Sequence, residues 1–338
     1  MDLEKLIDAK DLLAFSQNLN IKRNYLGDTV FPDVKTQNLK AEFYRLSDQR
    51  MLPTMAQVHA FDTEAHIGQR PTMEKVQIEK LLIKEKINVT ERANQWLENG
   101  AANENAIVRY IYDDAGRLAE AVKTRTEVAK MEALCRGKLS VNENNVKYDV
   151  DYHVPSENLS KFDWTDKTHD ILGDIQDIID KARLAGQVVT KAYTSTKVVA
   201  LMRKNEGVQT AIYSALGKGT YVSNSMLASL ISDMFGITIT VNDAYYQYES
   251  AKGALTSKRY FDENKFVLTG DYVGTGLWGV TPEELQAGPW TEKSMSQYIT
   301  ITKWTTPDPV AVWTKASGVF IPVIPNPNGI YINTIKLA

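Results

Sequence analysis

Residues 274–279 match the dinucleotide-binding sequence G-x-G-x-x-G, which makes them the first place to look for chemistry. Such a site needs a strand before the glycines and a helix after them, because the helix N-terminus holds the pyrophosphate. Here the following helix has two turns at most, capped at Thr281 with Pro282 in its first turn, and no βαβ unit comes after it. We therefore interpret residues 274–279 as a tight glycine-rich loop and expect no cofactor.

One metal-ligand pattern lies in residues 147–154, where Asp149, Asp151 and His153 share a face of a predicted strand. Carboxylates and imidazoles bind divalent metals, but three side chains in line along a strand do not converge on one ion. We interpret these residues as a solvated strand face and expect no metal.

The remaining candidates for catalysis lack the spacing that catalysis needs. Nothing marks Cys135 as an activated nucleophile, and Lys218 lacks the preceding glycines of a phosphate loop. The four histidines have neither the spacing of a metalloprotease motif nor that of a catalytic triad; they are His59, His66, His153 and His169. We expect no catalytic residue and no enzyme activity.

The composition sets broad limits on function. The 338 residues are 43% hydrophobic, which is enough for two or three globular units. A net charge of -3 argues against a dedicated nucleic-acid binder, and a single cysteine excludes a disulfide framework within the chain. Because no apolar run approaches about 20 residues and the first residues are charged, we expect no membrane segment, no secretory signal, and assembly in the cytoplasm.

The N-terminal half contains an arm and an extended loop. Residues 1–37 form the arm, with a turn at 26–28 and an apolar stripe made of Leu3, Leu6, Ile7, Leu12 and Leu13. The arm packs either on its own domain or on a neighbouring subunit or assembly factor. Residues 38–90 alternate in polarity at both ends around a polar, turn-rich middle, which predicts a long hairpin. The alternation changes phase near residue 80, which predicts a bulge or a bend.

Residues 103–136 predict one long helix of roughly 50 Å. Gly137 follows it in the position of a C-terminal glycine. Lys123 and Glu127 are expected to pair on its solvent side, as are Arg109 with Asp113 and Asp113 with Arg117. One apolar stripe follows the helix, consisting of Ile107, Ile111, Ala115, Leu118, Val122, Val128, Met131 and Leu134.

Residues 164–290 alternate between helices and strands and predict a mixed α/β domain, and strands return after residue 298. Prolines 322, 325 and 327 favour an edge strand or an extended strap for residues 318–329. We expect the final strand, at 331–337, to rejoin the sheet that begins near 140–154. The predicted fold class is therefore α+β.

This order of elements resembles the tailed-phage capsid fold of the Hong Kong ninety-seven type, and more narrowly the major capsid protein E family of phage lambda. Four segments carry the resemblance: the strand at 75–90 with the following 91–98, the block from 266–270 to 279–284, the pattern at 304–310, and the terminal 335–338. The resemblance covers nearly the whole chain in order.

The resemblance implies four regions: a 1–37 arm, a 38–90 extended loop, a peripheral domain of 91–163 plus 291–338 around helix 103–136, and an axial domain of 164–290. It implies pentamers and hexamers that form an icosahedral head around the double-stranded DNA of a tailed phage, assembled in the host bacterial cytoplasm. Expected partners are a separate scaffolding protein, a portal protein, a decoration protein in some lattices, and DNA bound without sequence specificity. The expected intersubunit contacts are Arg45, Arg50, Arg70, Glu74, Lys75, Glu79 and Lys84.

Two alternatives stay open at this point. An encapsulin-like compartment shares the fold but encloses cargo enzymes, and a soluble enzyme with an unrecognised site forms no shell.

Overall fold

The computed structural model describes residues 23–46, 73–89, 104–214, 220–249, 254–285, 292–296, 298–307 and 310–337, with isolated positions between 52 and 64. The apolar stripe predicted within residues 1–22 therefore lies outside the described residues, as do Arg50, Arg70 and Lys218. Across the described ranges, no helix combines the length and hydrophobicity that a membrane crossing requires.

The elements confirm the α+β class. The helices are α1 (Leu26–Val30), α2 (Glu104–Arg136), α3 (Ile171–Leu184), α4 (Thr196–Lys204), α5 (Glu206–Tyr213), α6 (Asn224–Phe235) and α7 (Pro282–Leu285). The strands are β1 (Asp33–Lys35), β2 (Lys40–Leu46), β3 (Met73–Glu79), β4 (Leu81–Val89), β5 (Lys138–Glu143), β6 (Val146–Asp151), β7 (Leu159–Phe162), β8 (Lys191–Thr194), β9 (Thr238–Val241), β10 (Tyr245–Glu249), β11 (Leu255–Arg259), β12 (Lys265–Thr269), β13 (Thr275–Gly279), β14 (Glu292–Ser296), β15 (Ile299–Pro307), β16 (Val310–Val323) and β17 (Ile330–Ile335).

The chain divides into two compact units, each assembled from three separate stretches of sequence. The first unit contains Met1–Ala41, Gln77–Lys130 and Thr275–Val323, and the second contains Glu42–Val76, Met131–Gly274 and Ile324–Ala338. The four-region division inferred above is a different partition and stays a prediction.

The first unit is built on a six-stranded sheet in the order β1-β13-β16-β15-β14, with β4 on the other side of β16. Strand β16 is thus central, so the expected edge strand was wrong. Pro322 is tolerated because β4 pairs with β16 only as far as Phe320, which leaves β13 as the strand partner at this position.

Residues 275–279 form strand β13, so the expected glycine-rich loop was also wrong, and this segment lies in the first unit rather than with residues 164–274. The glycines allow close packing instead of a turn. A Cβ on Gly276 would lie 2.5 Å from an oxygen of Asp33 and 2.9 Å from the ring of Phe320. A Cβ on Gly279 would lie 2.8 Å from Val319.

The predicted phase change near residue 80 is confirmed. Strand β3 pairs with β2, then the ladder stops at Lys80, and β4 pairs with β16 over nine residues. The change of periodicity therefore marks the point where the chain leaves a two-stranded hairpin and joins the main sheet.

The second unit has a five-stranded sheet in the order β7-β17-β12-β8-β9, with the core of α3, α4, α5 and α6 packed on it. Helices α3 and α4 begin after Asp170 and Ser195, whose side chains accept backbone N–H groups of the first turn. Sequence reasoning missed α5, which Asn205 caps.

The position of the final strand corrects one expectation. Strand β17 pairs with β7 and β12, not with the separate β5–β6 hairpin at 138–151. Five of its six residues are buried, so both of its faces need cover. A strand of this kind is suited to the interior of a covered sheet, whereas β5 alternates between buried and exposed residues up to its exposed end.

Helix α2 is confirmed within one residue, and Gly137 adopts φ +63 where the helix ends. The predicted surface pair of Lys123 with Glu127 was wrong, since both side chains are buried and contact the N-terminal segment instead. Arg117 lies 3.6 Å from Asp114, while the side chains of residues 104–113 lie outside the described part.

Two glycines that follow helices allow the cost of backbone strain to be compared with the cost of steric overlap. Gly236 has φ +69, and a Cβ added there would meet open space, whereas a Cβ on Gly137 would lie 2.6 Å from Val154. We expect Gly236→Ala to lower the free energy of unfolding by about 1 kcal/mol, the cost of a left-handed alanine. Gly137→Ala should cost at least about 2 kcal/mol because overlap is added. Urea unfolding measures both, and equal losses would contradict this assignment.

Candidate functional site

One face of α2 carries an unusual concentration of buried charge. Residues 123, 127 and 130 are spaced by four and three, so they lie on the same side of the helix. The Lys130 side chain is fully buried, and its Nζ lies 2.7 Å from Asp28 and 2.7 Å from Asp33. The Lys123 Nζ donates to Asp33 at 2.8 Å and to Asp28 at 3.3 Å. We call Asp28, Asp33, Lys123, Glu127 and Lys130 the buried clamp.

Glu127 completes the buried clamp by accepting the Gly27 N–H, which lies 3.0 Å from both carboxylate oxygens. Burial raises the pKa of Glu127 to about 7, against the lowering effect of the Gly27 hydrogen bond and Lys130. Although burial alone would raise it, the two lysines lower the pKa of Asp28. Burial alone would lower the pKa of Lys123, but the carboxylates of Asp33 and Asp28 outweigh this effect and raise it.

The buried clamp fixes residues 23–35 to their own chain. Phe31 and Val30 are buried next to it, the Tyr25 hydroxyl lies 3.2 Å from that of Thr124, and β1 pairs with β13. These residues pack on their own chain, while the apolar stripe of the arm, whose packing partner was left open, lies outside the described residues. Residues 26–28, expected as a turn, begin helix α1.

Lys80 anchors the two ends of the extended loop. Its side chain is buried, and its Nζ donates to the Thr36 hydroxyl and the Asn38 carbonyl at 2.5 Å and to the Trp278 carbonyl at 3.2 Å. All three acceptors are neutral, and burial lowers the pKa of Lys80. One side chain thus joins the chain entering the loop, the chain leaving it and strand β13.

A second anchor lies at the start of α7. Glu283 accepts hydrogen bonds from Lys315 at 2.7 Å and Ser317 at 3.0 Å, and it lies 3.5 Å from Lys84 on β4. Although burial opposes the change, these donors lower the pKa of Glu283 to about 2. Lys84, predicted as an intersubunit contact, is therefore bound within its own chain.

Three of the other predicted contact residues come together on the β2–β3 hairpin. The Arg45 guanidinium lies 2.5 Å from Glu74, and the Lys75 Nζ lies 2.9 Å from Glu42. Glu79 is exposed at the end of β3. Exposed pairs of this kind contribute little to stability, so their main effect is to hold the two strands in register.

Sequence reasoning missed the apolar character of the loop. Leu52, Met55, Val58 and Phe61 occur at every third position, and 50%, 88%, 100% and 100% of their surfaces are exposed. We call these four residues the apolar row. Large apolar side chains left this exposed are candidates for an interaction surface, and their regular spacing in a polar segment was the available signal.

Four of the residues considered for chemistry lie in the described part of the chain in settings that can be compared with their predicted roles. Burial raises the pKa of the Cys135 thiol far above its usual range. Asp149, Asp151 and His153 are exposed, and Asp151 pairs with Lys138 at 2.9 Å. In the described part of the chain, no group of three or more His, Cys, Asp or Glu side chains is placed to hold a metal ion.

Comparisons with known proteins give a family match and several matches in fold. The family model described as phage major capsid protein E matches residues 8–335. A proposed capsid protein of a prophage in Escherichia coli CFT073 has 17% identity and a TM-score of 0.63, covering 98% of this chain and 99% of that one. A search of curated proteins finds no significant match.

Two further solved structures share the fold. A phage-related protein from Bordetella bronchiseptica RB50 has 9% identity and a TM-score of 0.55, covering 95% of this chain and 96% of that one. The mature capsid of bacteriophage PhiM1 contains a chain with 11% identity and a TM-score of 0.52, covering 94% and 89%. At these identities the likeness shows the fold.

The Lys80 anchor can be tested by removing only its amine. We expect Lys80→Met to lower the free energy of unfolding by about 1–3 kcal/mol, because three acceptors lose their buried donor. Lys84→Met is the matched control, and it should cost less than about 1 kcal/mol because the Lys84 side chain is 43% exposed. Urea unfolding measures both variants, and a K80M loss no larger than that of K84M would show that Lys80 is not an anchor.

Proposed function

Because the chain belongs to the phage major capsid protein E family, we propose that it self-assembles into the pentamers and hexamers of an icosahedral head. The head encloses the double-stranded DNA genome of a tailed phage. The family match over residues 8–335 is the observation that carries this proposal. The chain is a structural component of the virion, and we propose that it has no catalytic role.

The extended loop supplies the contact that this proposal needs. In a lone subunit the apolar row is exposed to water, and burying apolar surface contributes about 25 cal/mol per Å². We propose that the row packs on an adjacent subunit of the same capsomer. Charged residues of the loop and of the adjoining strand then set its orientation, and Lys84 takes part from β4 beside Glu283. The contributing residues are Arg45, Arg50, Arg70, Glu74, Lys75, Glu79 and Lys84.

The other regions take the remaining contacts. Residues 164–290 would face the capsomer centre, and residues 91–163 with 291–338 would meet neighbours at local threefold axes. Each contact is modest, but a subunit bound to several neighbours gains strongly through effective concentration. A scaffolding protein and a portal protein guide assembly in the host cytoplasm, and DNA is held without sequence specificity.

Negative-stain electron microscopy of the full chain tests assembly directly. The chain is expressed alone and together with the scaffolding protein of the same phage. Closed shells, or rings of five and six subunits, are the expected result. Uniform monomers or dimers under both conditions would overturn the proposal.

The apolar row is tested by a matched pair of double variants. We expect Val58→Ser with Phe61→Ser to abolish shell formation, because the loop loses apolar contact area with the adjacent subunit. Val58→Ile with Phe61→Leu keeps the apolar character and should assemble like the wild type. Microscopy counts the shells, and urea unfolding checks that both variants remain folded. Normal shells from V58S/F61S would show that the row does not face a neighbour.

A further inference from the structure

We propose that residues 23–35 form a strap whose hold on α2 depends on a proton carried by Glu127, so that the strap docks more tightly in mild acid than in mild alkali. This inference rests on the contacts of the buried clamp within one chain. It does not depend on the proposed assembly.

Charge balance in the buried clamp is the first argument. Lys123 and Lys130 are matched by Asp28 and Asp33 through contacts of 2.7–2.8 Å. These four groups therefore carry no net charge together. Glu127 is the surplus acid, and within the described residues its hydrogen-bond donor is the Gly27 N–H rather than a cation. A neutral carboxyl at this position balances the cluster.

The surroundings of Glu127 are the second argument. The charged groups that face it are the two lysines of its own helix, Asp28 of α1 and Asp33 at the start of β1. Strands β13 and β16 contribute uncharged neighbours to the cluster, since Gly276 lies against Lys130 and the Phe320 ring lies 5.5 Å from its Nζ. Glu127 itself is only 2% exposed, so water has little access to its carboxylate, whereas the Asp28 side chain at the edge of the cluster is 42% exposed.

The strap and α2 form the two sides of this cluster, so undocking exposes Glu127 to solvent. In the docked state the pKa of Glu127 is about 7, compared with 4.5 for a free glutamate. The docked state therefore binds the proton more tightly, and docking weakens as the pH rises from about 4.5 to about 7. Asp28 has a lowered pKa, so its contribution changes only in stronger acid.

Hydrogen–deuterium exchange of the full chain tests this proposal. Protection factors are measured for a peptide covering residues 24–31 between pH 5.5 and pH 8, after division by the intrinsic exchange rates. We expect protection in the wild type to fall by at least about tenfold over this range. Glu127→Gln keeps the acceptor for Gly27 but cannot ionise, so its protection should be independent of pH.

Controls separate the strap from general effects of pH. Glu120→Gln removes an acid two turns earlier, where Glu120 pairs with Arg23 at 2.7 Å, and it should keep the wild-type pH dependence. A peptide from α6 should show constant protection, and size-exclusion chromatography confirms the same oligomeric state at each pH. The proposal is overturned if the protection of the wild-type strap does not change with pH. This test needs only the wild type, so it holds even if E127Q does not fold. A pH dependence that persists in folded E127Q overturns it equally.

Discussion

The burial of lysine side chains on α2 is the constraint on which the first unit depends. A fully buried ammonium group is tolerated only when anions and hydrogen-bond acceptors surround it. Helix α2 cannot supply these for Lys130 by itself, so the N-terminal segment brings Asp28 and Asp33, and α1 and β1 follow from that placement. Gly276 leaves the space that Asp33 and Lys130 occupy. These contacts therefore fix the position of the N-terminal segment on α2 and the register of β1 against β13.

The same arrangement explains how the extended loop is positioned. Lys80 binds the chain on both sides of the loop, while Glu283 holds β4 through Lys84 and β16 through Lys315. The base of the loop is therefore specified by buried polar contacts, whereas the apolar row is exposed. This combination suits the contact role proposed for the loop, because a contact element must reach a neighbour from a defined origin.

Sequence reasoning predicted elements well where the periodicity was local. Helix α2 and the change of pairing at Lys80 both follow from spacing along the chain. It failed where distant segments decide the outcome. A glycine-rich sequence is compatible with a loop or with a closely packed strand. Only the contacts of Gly276 with Asp33 and Phe320, which are distant in sequence, decide for the strand. Lys123 and Glu127 have a spacing typical of a surface pair, and only their partners, 90 to 100 residues earlier, reveal their burial. The contact residues were chosen for charge, so the apolar row was overlooked.

The antiparallel ladder between β4 and β16 has a mechanical consequence. Nine consecutive residue pairs, from Val89 with Val312 to Leu81 with Phe320, join the strand that leaves the extended loop to the longest strand of the sheet. A force applied to the loop along the strand direction acts on this ladder in shear, so its hydrogen bonds resist together instead of opening one at a time. Tension on the extended loop is then carried into the interior of the sheet.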